Sequence, residues 1–181
     1  MKILESIQQR YSLRNYADKP VEKEKIERCL EAARLAPSAC NAQPWKFVVV
    51  DNPELKKEVA NAARAEMLNM NKFANEAPVI IAIVMEPANA TSTLGSKIKR
   101  KHYPLMDIGI AAEHISLQAT EEGLGSCMIG WLNEKKVKKT LGIPSARRIP
   151  LLITLGYPSE QHESWRPRKD FDEVVTYNKY K

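Results

Sequence analysis

The chain has 181 residues, of which 44% are hydrophobic and 28% charged, with only 7 Gly and 11 Pro and a formal charge of +6 from 28 basic against 22 acidic side chains. A chain of this size buries roughly 70% of its unfolded surface in one domain, here residues 1–181, and the composition excludes whole-chain disorder, collagen-like repeats and low complexity. The basic balance suggests an anionic partner without identifying it.

The N-terminus meets Glu5 and Gln8-Gln9-Arg10 before any apolar run of signal-peptide length, so the expected location is cytoplasmic. Ile3, Leu4 and Ile7 are spaced for a short helix ending before Arg10, and Val21, Ile26, Cys29, Leu30 and Ala33 mark an amphipathic helix that Pro37 ends. Trp45-Lys46-Phe47-Val48-Val49-Val50 has the β-branched and aromatic content of a strand, and Asp51-Asn52-Pro53 turns the chain into a helix predicted to run to about Met67. The apolar run from Val79 to Met85 is too short to span a bilayer and predicts a buried strand, so no membrane partner is expected. The run Lys97-Ile98-Lys99-Arg100-Lys101-His102 has no interleaved aromatics and no nucleic-acid motif, and reads as a solvated loop or helix end.

From Pro104 to about Glu122, the residues Leu105, Ile108, Ile110, Ala112, Ile115 and Leu117 are too evenly apolar for a surface helix and predict a central one, closed by Gly123 and Gly125. Cys127 to Trp131 is a third strand, Asn133 caps a lysine-rich helix through Leu141, and Ile149 to Tyr157 is a fourth strand. This order permits either a doubly wound sheet or an α+β layer structure. Cys29, Cys40 and Cys127 are widely separated and lack any Cys-x-x-Cys pairing, which argues against a disulfide framework and a zinc site and fits a reducing compartment.

Both common phosphate cradles are missing: Gly123-Leu124-Gly125 has Met128 where a dinucleotide fingerprint needs its third glycine, and no Gly-Lys-Ser/Thr tripeptide occurs. The histidines are His102, His114 and His162, without metalloprotease spacing, and no Gly-x-Ser-x-Gly elbow is present. His114 reads as a hydrogen-bonded structural histidine and Cys127 as a small core residue. If the chain is an enzyme, a bound cofactor does the chemistry.

Two segments stand out. Arg10-Tyr11-Ser12-Leu13-Arg14 packs two guanidinium groups and a hydroxyl into five residues, a combination suited to phosphate. Pro37-Ser38-Ala39-Cys40-Asn41-Ala42-Gln43-Pro44-Trp45 is a helix stop and polar loop running into a strand, able to read a planar heterocycle or to serve as a turn in which Ser38 and Asn41 cap backbone groups. Together with Asp107-Ile108-Gly109, the stretch Gly123 to Trp131, Arg166-Pro167-Arg168 and Phe171 to Val175, these segments resemble the nitroreductase family, specifically its short FMN-dependent members, over nearly the whole chain.

The resemblance implies an α+β fold with a central mixed or antiparallel sheet flanked by helices, and an obligate homodimer holding FMN at the subunit interface. Arg10, Ser12, Arg166 and Arg168 then form the phosphate grip. Arg14 lies toward the N1 and C2 edge of the flavin and stabilises the charge of the reduced ring, so no side chain acts as an acid or base. Pro37, Ser38, Ala39 and Asn41, from the partner subunit, pack on the ring, and Ile129 and Gly130 bring a main-chain donor toward N5. Tyr11 stands where many members carry a second Arg, so one guanidinium hold on the phosphate is missing or is supplied by a hydroxyl. Residues 72–101 match no motif of the family and lie where it builds its variable cover.

The function these expectations add up to is a ping-pong oxidoreductase, with hydride passing from NAD(P)H to flavin N5 and on to a nitroaromatic, quinone or similar small oxidant. Alternatives are another reductive chemistry on the same fold, such as dehalogenation or flavin cleavage, and a basic nucleic-acid-binding module without enzymatic activity.

Overall fold

The computed structural model describes residues 2–64, 70–160 and 166–180. Four strands, β1 (Trp45–Val50), β2 (Val79–Met85), β3 (Gly125–Ile129) and β4 (Arg148–Gly156), form a sheet in the order β1-β2-β4-β3. Every neighbouring pair is antiparallel, with Val50 opposite Ile80, Val79 opposite Leu155 and Gly125 opposite Gly156. The α+β layer structure is therefore the one adopted.

The helices are α1 (Ile3–Gln9), α2 (Lys23–Arg34), α3 (Pro53–Ala63), α4 (Ala90–Lys99), α5 (Tyr103–Glu121), α6 (Glu134–Leu141) and α7 (Phe171–Val174), with single 3-10 turns at Ala39–Asn41 and Lys72–Asn75. Side chains alternate across a strand, so β2 feeds two cores. Val79, Ile81 and Ile83 pack with Ile26, Cys29, Ile108, Ala112 and Ile115 of α2 and α5, while Ile80 and Ala82 pack with Val59, Ala63 and Val137 of α3 and α6. Burial on both faces explains why β2 is a continuous apolar run.

Local signals act as expected at several ends. Asn52 Oδ1 accepts from the Glu54 and Leu55 amides at 3.1 Å, with Pro53 in the first turn of α3. Asn133 Oδ1 accepts from the Lys136 amide at 3.0 Å and opens α6. α3 ends at Ala63, with Arg64 in extended conformation, short of the end expected near Met67, which itself lies outside the described residues.

Three expectations are adjusted. First, β3 starts two residues earlier than predicted, at Gly125 rather than Cys127, and ends at Ile129 rather than Trp131. Bare backbone at Gly125 admits the Leu13 side chain, which fills the place a Cβ would take, so the chain joins the sheet at the glycine itself. Second, α5 is buried on one side only: Asp107, Ile108, Ala111, Ala112, Ile115, Ser116 and Ala119 face inward, whereas Leu105, Met106 and Ile110 are exposed. Third, the stretch 72–101 that matches no motif is not all outer cover, since it holds the inner strand β2 as well as α4; the basic run falls, as expected, on a helix end and the turn into α5.

Candidate functional site

Beyond the sheet proper, the segment after α1 lies along the free edge of β3. Ser12 bridges Ser126 in parallel, the Leu13 amide donates to Ser126 O at 2.9 Å, and the Ala17 amide donates to Tyr157 O at 2.9 Å. Buried Leu13 and Tyr16 anchor this edge, and Tyr16 Oη donates to Thr154 Oγ1 at 2.7 Å. With Leu13 directed inward, Ser12 is left exposed beside Ser126.

Arg10, Ser12, Arg166 and Arg168, drawn from the two ends of the chain, come together in one cavity of about 350 Å³. Ile7, Glu113, Ser116, Ser126 and Met128 complete its lining. Arg166 Nη2 donates to Gln8 O at 2.9 Å, tying the C-terminal segment to α1. Burial, and then the like charges of Arg10 and Arg168, push the Arg166 guanidinium below its ordinary value. Three guanidinium groups gathered with three serines and one carboxylate fit a phosphate monoester, whose dianion relieves that mutual repulsion.

Tyr11 and Arg14 are placed elsewhere. Tyr11 packs with Phe73 on the small cluster of Leu13, Tyr16 and Ala77, and burial pushes its phenol up from the ordinary value. The Arg14 guanidinium carbon lies 6.0 Å from the centre of the Phe73 ring. Neither is among the residues that line the arginine cavity.

The polar loop after α2 is held in a costly conformation. Cys40, Asn41 and Gln43 have φ of 53°, 51° and 45°, and a left-handed conformation costs a non-glycine residue about 1–2 kcal/mol. Hydrogen bonds enforce it: the Gln43 amide donates to Ser38 Oγ at 2.9 Å, Gln43 Nε2 to Asn41 Oδ1 at 3.2 Å, and Asn89 Nδ2 to Cys40 O at 2.9 Å. From α5, Asp107 Oδ1 accepts from the Ala39 amide at 3.1 Å. Asp107 is 4% exposed, and its second oxygen has no partner among the described residues. Ser38 thus serves as a turn cap, one of the two roles open to it from the sequence, and Asn41 accepts within the same turn. Pro37, Ser38, Ala39 and Asn41 do not line the arginine cavity of their own chain.

Ile129 is buried at the end of β3, and Gly130 follows exposed, with Leu151 Cδ2 at 3.8 Å as the nearest atom a Cβ would meet. His114 Nδ1 lies 3.0 Å from Ala32 O and links α5 to α2, a structural role. Burial pushes the Cys127 thiol up, which keeps it protonated and a poor nucleophile. Sequence reasoning missed Glu113, Ser116 and Ser126 as cavity residues. Glu113 and Ser116 sit at i and i+3 on α5, the one signal that places them on a common face.

The fold sets three arginines, three serines and one carboxylate around a cavity at a sheet edge, with no assembled acid–base dyad beside it among the described residues. The Nitroreductase family model matches residues 7–157. An NADH dehydrogenase of Thermus thermophilus is 30% identical over 178 residues, covering 84% of this chain and 84% of that protein. An iodotyrosine deiodinase of Thermotoga neapolitana is 24% identical over 201 residues, covering 99% and 100% respectively. The solved structure of an FMN-dependent nitroreductase from Clostridium difficile R20291 is 30% identical with a TM-score of 0.78, covering 98% of this chain and 99% of that one. The chain belongs to the nitroreductase family and is an oxidoreductase by that membership. No helix among the described residues is long and apolar enough to cross a membrane.

Proposed function

We propose that residues 1–181 form one domain of an FMN-dependent NAD(P)H oxidoreductase that works as a homodimer and reduces a nitroaromatic, quinone or similar small oxidant in a ping-pong cycle. One observation carries the reading: Arg10, Ser12, Arg166 and Arg168 line a single cavity suited to a phosphate monoester. Bound FMN supplies the redox chemistry, hydride in at N5 from NAD(P)H and hydride out to the oxidant.

The protein's part is to bind, orient and stabilise charge. Arg10, Arg166 and Arg168 hold the phosphate through charge-assisted hydrogen bonds, and the Ser12 hydroxyl adds another. Arg14 sets a positive charge beside the ring, favouring its reduced anionic form without moving a proton. Tyr11 packs on the cluster of Leu13, Tyr16 and Ala77 and does not line the arginine cavity, so one guanidinium hold on the phosphate is missing there. Ile129 and the bare backbone of Gly130 would bring a main-chain donor to the redox-active edge of the bound ring. The strained loop 37–41 would come to the ring across the dimer. The exposed apolar residues of α1 and α5 supply a face for that dimer. The three free cysteines suit a reducing cytoplasm, and neither nucleic acid nor membrane is a proposed partner.

The test begins with the visible spectrum of the purified protein and anaerobic addition of NADH or NADPH. A yellow protein that bleaches is the expected result, and the faster donor is the preferred one. Colourless protein that takes up no added FMN overturns the reading. Within it, Arg168→Ala is expected to weaken FMN binding at least tenfold, the worth of about one charged hydrogen bond. The match to an iodotyrosine deiodinase over 99% of this chain favours a second reading, reductive dehalogenation. Halide release from a halophenol in place of nitro or quinone turnover would select it.

A further inference from the structure

Glu113 is the one acidic residue among the described residues that line the arginine cavity. Its Oε1 lies 3.8 Å from Arg10 Nε, and its side chain is 43% exposed against 19% for Arg10. Elsewhere this chain closes its arginine–carboxylate pairs tightly: Arg28 meets Glu122 through two contacts of 2.7 Å, and Arg34 meets Glu31 at 2.6 and 2.7 Å. Glu113 makes no such contact among the described residues. It stands at the outer limit of an ion pair, near enough to compensate the arginines and too loosely held to orient Arg10.

Arg10, Arg166 and Arg168 repel one another, and a carboxylate beside them offsets part of that repulsion while no other anion is present. A phosphate dianion in the same cavity reverses the sign of the carboxylate's effect, because it then stands as a like charge beside the ligand. We propose that Glu113 is an electrostatic counterweight that competes with the FMN phosphate for the arginines, lowering affinity for the phosphorylated cofactor and keeping it exchangeable. The inference rests on the phosphate reading of the cavity given above. It adds that the cavity is tuned below the affinity its three arginines would otherwise reach.

Glu113→Gln removes the charge and keeps the shape, and Glu113→Ala removes both. Full-length protein freed of flavin is titrated with FMN and with riboflavin, which lacks the phosphate, following the quenching of flavin fluorescence at constant ionic strength. Both variants are expected to bind FMN about tenfold more tightly than the native protein, as befits loss of one like charge at the margin of a partly exposed cavity. Riboflavin affinity is expected to stay within about twofold, since a neutral ligand is insensitive to the charge. Unchanged or weaker FMN binding in Glu113→Gln overturns the proposal and leaves Glu113 as a residue that positions Arg10. A native protein that binds FMN no better than riboflavin refutes the phosphate reading itself, and the counterweight falls with it.

Discussion

A methyl group at Gly156 would lie 2.5 Å from Pro78 Cδ and 2.8 Å from Tyr16 Cδ1, closer than packed carbon atoms approach. Tyr16 is the buried anchor that ties segment 12–17 to β4 through Thr154, so the cost reaches the site as well as the core. Gly156→Ala is expected to destabilise the fold by about 1–3 kcal/mol in urea unfolding, the range for overpacking a well-filled core. It should also weaken flavin retention, because Ser12 and Arg10 hang from the same edge. Unaltered stability would mean that Pro78 and Tyr16 have room to retreat. At this scale, much is legible in the sequence. His114 and Cys127 read as structural because a histidine or thiol amid helical or strand apolar residues is placed by packing. Glu113, Ser116 and Ser126 are not legible, since no local rule says which polar side chains a fold will gather around one cavity.

Among the elements, the loop between α2 and β1 shows most clearly how tertiary contacts override local preference. Cys40, Asn41 and Gln43 all adopt positive φ without being glycine, and the buried Asp107 of α5 stabilises the turn by accepting the Ala39 amide. Asp107→Asn keeps an acceptor there and is expected to hold flavin affinity within about threefold. Asp107→Ala removes the acceptor and is expected to weaken affinity about tenfold, roughly the net worth of one hydrogen bond. Flavin titration of the three proteins decides it, and equal affinities would show that the loop keeps its shape without α5. Most elements are readable from the chain: the Asn52-Pro53 and Asn133 caps, the β-branched content of β1 and the apolar β2 are local signals with local causes. The early start of β3 is not, because a strand beginning at Gly125 depends on Leu13, more than a hundred residues away. Likewise α4 lies in a stretch that matches no motif.

For the molecule as a whole, the open feature is the set of exposed apolar side chains Ile3, Leu4 and Ile7 of α1 and Leu105, Met106 and Ile110 of α5, exposed between 38% and 77%. Side chains of this kind on adjacent packed helices mark an association surface more often than a solvated one. The native protein is expected to sediment as a dimer. Ile110→Arg, which sets a charge among the exposed apolar side chains of α5, should shift it toward monomer and release flavin in parallel. A native monomer that keeps its flavin would refute the shared site. What the amino-acid sequence determined by itself was most of the inventory and its order: which segments other than α4 and α7 become helix or strand, which loops carry polar chemistry, and that neither common phosphate cradle is present. Those properties are local, set by periodicity, caps and residue type. Only the tertiary structure decided that the sheet is antiparallel, that Arg10 and Ser12 share one cavity with Arg166 and Arg168 while Arg14 turns to Phe73 and Tyr11 to the Leu13 cluster, and that α5 leaves one apolar side open. Each of these depends on contacts between residues far apart in the chain, whose pairing is settled by packing of the whole core rather than by any short stretch of sequence.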